Sequence, residues 1–207
     1  MQSALDVIKN VVQIAFYAIS AVAVIYGLRT WKRELKGKTR YESAKSIITG
    51  AYGVREAIQL CRSAAMHPSE YANRQALEGE SAKQKELQNS YYAYMHRFNR
   101  VIDSLKSWQP TITEAEALFG KEARDQARKL ECLTGRLRGA IEIYHQLMAH
   151  DAFDGKVERQ ASNIIFGANP DQASDASQRE SLDDGGFQTE LDASVDHIRK
   201  YFARYME

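Results

Sequence analysis

The chain has 207 residues, enough for one ordinary domain and an appendage. Its 28 Lys and Arg against 27 Asp and Glu leave a net charge of +1, so no global field draws the molecule onto nucleic acid and any basic contact surface has to be local. Twelve Gly, three Pro and few β-branched runs favour helix over sheet, and the two distant cysteines, Cys61 and Cys132, form neither a disulfide framework nor a zinc site, which suits a reducing compartment.

After residues 1–10 comes VVQIAFYAISAVAVIYGL, residues 11–28, which carries no charge. At 1.5 Å per residue it spans roughly 27 Å, close to the hydrocarbon thickness of a bilayer, and Leu5 and Ile8 could extend it by a turn. The expectation is a transmembrane helix. A cleaved signal peptide fits less well, because the cations Arg29, Lys32, Arg33, Lys36, Lys38 and Arg40 follow the apolar run instead of preceding it. That order places the C-terminal side in the cytoplasm of a bacterial inner membrane and the N-terminal residues 1–10 in the periplasm. Trp31 falls where an interfacial aromatic would lie. With the six cations it forms a membrane-surface contact over the junction 29–43, each cation attracted to anionic headgroups by about 1 kcal/mol.

Residues 44–207 read as a cytosolic antiparallel bundle of four amphipathic helices, giving an all-α fold. The first stripe is Ala44, Ile47, Ala51, Val54, Ile58, Cys61 and Ala65, ending at His67-Pro68. A polar connection containing Asn73 and Gly79 leads to the second, Leu87, Tyr91, Tyr94, Phe98, Val101, Leu105 and Trp108, which is expected to stop before Pro110. Thr113 with Glu116 has capping-box spacing and is expected to open the third, from Phe119 through Leu130, Leu137 and Tyr144 to Leu147. Residues 156–166 form a short extra helix. The acidic, Gly- and Pro-containing stretch 167–186 is expected to be a loop, and Leu191, Val195, Ile198, Phe202 and Tyr205 form the last stripe.

Gly37-Lys38-Thr39 has the ending of a phosphate-binding loop, but Lys32 stands where the first glycine is needed and no strand leads in, so nucleotide binding is rejected and Gly37 is expected to loosen the junction. Glu142 and His145 form a Glu-x-x-His pair of the kind used in di-iron bundles. No second such pair occurs, and both are expected to be solvated. Tyr91, Tyr92 and Tyr94 beside His96 and Arg97 could stack bases, but Tyr91 and Tyr94 fall on the core stripe, leaving Tyr92 available. No cofactor or metal is expected, and no nucleic-acid partner.

Arg62 to His67 and Arg138 to His145 have a spacing that resembles the Arg-x(4–6)-His motif of HEPN-family ribonucleases, themselves small helical bundles. In that family the resemblance implies phosphodiester cleavage, with the arginine stabilising phosphorane charge and the histidine moving protons. Among 16 arginines and five histidines, roughly one match arises by chance. The order of anchor, WKRELKGKTRYESAKSIITGAYGVREAI, EAEALFGKEARDQARKLECL and a terminal FQTELDASVDHIRKYFARYM resembles a widespread, uncharacterised set of small bacterial single-pass membrane proteins with a cytosolic helical domain. The resemblance implies topology and carries over no functional residues. The leading expectation is a non-enzymatic, membrane-anchored interaction or scaffold module with a protein partner or self-association through the weak Ala23/Gly27 pair. The alternative is a HEPN-like nuclease, with Arg138, His145, Arg62 and His67 as candidates, or a membrane-perturbing component of an antiviral system.

Overall fold

The computed structural model describes residues 2–150, 155–167 and 185–206. These form α1 (Gln2–Cys61), a 3₁₀ turn (Pro68–Glu70), α2 (Ala82–Phe119), α3 (Lys121–His150), α4 (Gly155–Phe166) and α5 (Gly185–Ala203). No strand occurs among the described residues, so the fold is all-α. Packing divides the chain into two units, residues 1–42 and 43–207, and the division falls inside α1.

The first unit is helix alone. Its described side chains between Phe16 and Lys38 are exposed, apart from a half-buried Ser20. Among the described residues no helix is long and apolar enough to cross a membrane. The stretch 11–28 falls partly outside them, because the side chains of Val11, Val12, Ile14, Ala15 and Ala18 are not described.

The second unit is a helical bundle whose pairings can be followed through its hydrogen bonds. Along α1 and α2, Trp108 Nε1 donates to Ile47 O at 3.0 Å while the Cys61 thiol approaches Tyr94 O at 3.9 Å, so position numbers rise on one helix as they fall on the other. The same inverse order relates α2 to α3 through Ser90–His145 and Gln109–Glu131. It relates α3 to α5 through Arg136–Glu190 and Tyr201–Glu122. Arg55–Asp192 then joins α5 back to α1. Four antiparallel helices thus close a ring around Ile47, Ile58, Tyr94, Ile112, Leu130, Leu137, Ile141, Leu191, Ile198 and Phe202, all fully buried. Burying each such side chain stabilises by about 1.5–3 kcal/mol. The short α4 lies on α3 and adds Ala161 and Ile165 to the core.

Helix boundaries depart from the sequence expectation in four places. First, α1 runs unbroken through residues 29–43: one Gly37 costs about 1 kcal/mol among strong helix formers, too little to break it. It also ends at Cys61, short of His67-Pro68. Second, α2 continues through Pro110 to Phe119. The lost bond to Lys106 O is offset by Trp108, Ile112 and Ala115, all buried on the same helix. Third, Thr113 is not a cap; it lies inside α2, where its hydroxyl donates to Gln109 O at 3.1 Å. The chain turns at Gly120 instead, whose φ of 90° and ψ of 178° suit glycine and whose N–H closes α2 on Glu116 O at 2.8 Å. Fourth, α5 begins at Gly185, inside the stretch assigned to a loop; residues 168–184 of that stretch lie outside the described residues.

Candidate functional site

The connection 62–81 is polar in sequence, yet two arginines hold it tightly. Arg74 places Nη1 and Nη2 on the two Glu80 oxygens at 2.7 Å each and Nε on Asn89 Oδ1 at 2.7 Å, with only 9% of its side chain exposed. Arg97 reaches out of α2 and donates through Nε and Nη2 to the Glu70 carboxylate, through Nη1 to Ser63 O and through Nη2 to Ala65 O. Its guanidinium also stacks 5.6 Å from the Tyr94 ring centre. A buried cation needs compensating acceptors, and here the loop folds so that two carbonyls and one carboxylate take four of the five guanidinium N–H groups. The Arg97 guanidinium in turn holds the Glu70 carboxyl far below the usual range, to about 2.

Under this strapped loop, α1 and α2 flank a cleft of about 490 Å³ whose lining includes Glu56, Leu60, His67, Ser69, Arg100 and Ser104. His67 Nδ1 accepts the Ser69 N–H at 3.3 Å and lies 2.9 Å from Ser69 Oγ, which caps the 3₁₀ turn. Glu70 Oε1 accepts the main-chain N–H of His67 at 3.0 Å, so this carboxylate is committed to backbone and to Arg97 and does not orient the imidazole. Serine and histidine are adjacent, but the acid of a hydrolytic relay is not placed behind them. Cys61 is also at the cleft, where burial pushes its thiol up to about 12 and leaves it a poor nucleophile.

The sequence candidates separate in space. Arg62 donates through Nε to Ile164 O and through Nη1 to Gln188 Oε1, each at 2.7 Å, and lies 4.9 Å from the Phe187 ring centre, fastening α1 to α4 and α5. His67 serves the cleft instead. Arg138 pairs along its own helix with Glu142 at 2.9 Å and is 57% exposed, whereas His145, two turns on, is 5% exposed. The expectation of a solvated His145 is therefore corrected. Its Nδ1–H donates to Ile141 O at 2.8 Å, its Nε2 accepts the Ser90 hydroxyl at 3.2 Å, and Tyr91, Tyr94 and Tyr144 surround the ring. Burial lowers its pKa and keeps it neutral. The cause is register: Leu137, Ile141 and His145 are spaced by four on the buried face of α3. Tyr92 is half-buried, not free on the surface. Arg29, Trp31, Lys32, Arg33, Lys36 and Lys38 are exposed on α1, and Arg40 is half-buried. Lys38 pairs with Glu42 at 3.9 Å. Among the described residues no group of three or more His, Cys, Asp or Glu is placed to hold a metal ion.

Sequence reasoning missed Arg74 and Arg97 as organisers. For Arg97 a signal existed: it sits between Tyr94, Phe98 and Val101 on a stripe that is otherwise apolar. Arg74 left none, being one charged residue in a polar connection. No family model, curated protein or solved structure matches the chain.

Proposed function

We propose that this protein is a membrane-anchored helical interaction module, held in a bacterial inner membrane by residues 11–28 with its bundle on the cytoplasmic side, and that it belongs with the small single-pass proteins its sequence resembles. The observation that carries this reading is the surface of α1. Phe16, Ile19, Val22, Val24, Ile25, Tyr26 and Leu28 are 51–70% exposed, the highest being Ile19 at 70%. At 100° per residue these positions point in every direction around the helix. An apolar stripe on one side could pack on another helix; a sleeve that is apolar all round calls for an apolar surround such as lipid. The run 11–28 contains no Asp, Glu, Lys or Arg, and Arg29, Lys32, Arg33 and Lys36 follow it, exposed and without ion-pair partners among the described residues. That supports attraction to anionic headgroups and a cytoplasmic bundle. The interaction role rests on the mixed-charge surface of that bundle and on the structural employment of Arg62, Arg138 and His145.

The chain carries its own topology probe. Cys132 is exposed and Cys61 is buried, so a membrane-impermeant maleimide should leave the protein unlabelled in intact spheroplasts and label Cys132 after lysis. Labelling in intact spheroplasts, or release of the protein by alkaline carbonate, would sink the anchor and its direction. In-cell crosslinking of the full chain should then give a stoichiometric partner or self-association; repeated absence of both overturns the interaction role.

A further inference from the structure

The cleft beneath the 62–81 loop has a charge arrangement that its structural role does not use. Arg97 and Glu70 are largely committed to each other and to the loop: the carboxylate has its Arg97 and His67 contacts, and four of the five Arg97 N–H donors go to Glu70, Ser63 O and Ala65 O. Glu56 on α1 and Arg100 on α2 line the same cleft and are opposite in charge. Neither has a hydrogen-bond or ion-pair partner among the described residues. Arg100 acts on Glu70 only through its field, helping to hold that carboxyl down. The His67 ring uses Nδ1 for the cap and has Nε2 without a partner, and Ser104 adds a hydroxyl.

We propose that this cleft binds a small zwitterion bearing one ammonium and one carboxylate, of amino-acid or dipeptide size. Glu56 takes the ammonium; Arg100, with the His67 Nε2–H, takes the carboxylate. The other common ligand classes fit poorly. No Phe, Tyr or Trp lines the cleft, so a nucleobase would find no ring to stack on. With Glu56 and Glu70 set against Arg97 and Arg100, the cleft carries no excess of positive charge that would favour polyphosphate. The volume of about 490 Å³ lies in the range of small-molecule sites. Arg97 fixes the 63–70 part of the loop at one side of the cleft, while Glu56 and Arg100 are exposed at its mouth.

The test uses the full chain in detergent or nanodiscs, with L-alanyl-L-alanine as probe and propionate and ethylamine as single-charge controls. Titration is followed by calorimetry and by the His67 imidazole signals, assigned with His67→Gln. The dipeptide should shift those signals saturably, with both controls binding at least tenfold more weakly. Glu56→Gln and Arg100→Gln should each weaken dipeptide binding tenfold or more while leaving the melting temperature close to the parent's, since neither residue has a hydrogen-bond or ion-pair partner among the described residues and Arg100 reaches Glu70 only through its field. Absence of a saturable shift, binding of propionate or ethylamine as strong as that of the dipeptide, or variants that bind like the parent would each overturn the proposal.

Discussion

At the scale of single residues, Trp108 shows how one side chain sets the spacing of two helices. Its indole lies against Gly50, where an added Cβ would come within 2.5 Å of Nε1 and 2.8 Å of Cγ, and its N–H reaches Ile47 O one turn earlier. Gly50→Ala therefore forces the ring outward, and overpacking of this kind costs about 1–3 kcal/mol. Urea unfolding should show a midpoint lowered accordingly. Gly53→Ala, where nothing lies within 4 Å, should be neutral or slightly stabilising through helix propensity. Arg97 is the second such residue. Arg97→Met keeps the bulk but removes the partner of a half-buried Glu70 and of the Ser63 and Ala65 carbonyls, and the loss of such charge-assisted hydrogen bonds costs about 1.5–3 kcal/mol. The variant should unfold at much lower urea concentration, and hydrogen exchange should rise first in residues 62–70.

At the scale of elements, α2 and α3 are separated by the residue that geometry requires. The φ of 90° at Gly120 is a conformation that side chains disfavour, so Gly120→Ala should cost about 1–3 kcal/mol although nothing crowds the position. Pro110 is the opposite case, an exposed proline inside a helix that does not need it. Pro110→Ala restores an N–H for Lys106 O and should stabilise by about 2 kcal/mol, the interior proline cost of roughly 3 kcal/mol less about 1 kcal/mol of chain entropy returned to the unfolded state. Thermal unfolding of the two variants should move in opposite directions. These two positions also explain what could be read from the sequence. Apolar periodicity is a sum over many residues, so Ile47 to Cys61, Tyr94 to Trp108 and Leu130 to Leu137 announce their helices plainly. A helix end depends on one residue, and Pro110 and Thr113 gave the usual local signals while packing by Trp108, Ile112 and Ala115 overruled them. The cleft was less legible still. His67 stood out only for its spacing from Arg62, a residue that the fold turns toward α4 and α5, and the approach of Arg97 to Ser63, Ala65 and Glu70 is a tertiary event with no spacing signature.

At the scale of the whole molecule, the bundle should lose stability in two acid steps, because buried His145 and half-buried Glu70 have pKa values shifted in the same direction for different reasons. His145 has its pKa lowered by burial from the ordinary 6.5. The folded state thus binds fewer protons than the unfolded chain, and the contribution of the neutral ring is complete above about 6.5 and fades as pH falls below it. Glu70, held at about 2 by Arg97 against an ordinary 4.5, contributes fully above 4.5 and loses that contribution between 4.5 and 2. The two named groups sit at different junctions. His145 joins α3 to Ser90 and the tyrosines of α2, while Glu70 ties the 62–81 loop to α2. Urea midpoints measured from pH 8 to pH 3 should therefore fall first below about 6.5 and again below about 4.5. His145→Gln should flatten the upper step and leave the lower one, and Glu70→Gln should shrink the lower step without removing it, because Glu80 beside Arg74 and Asp196 beside Lys200 are also held below the ordinary carboxylate range. A parent profile that is level between pH 7 and 5, or a His145→Gln profile that keeps the upper step, would mean that the buried imidazole does not couple the bundle to pH.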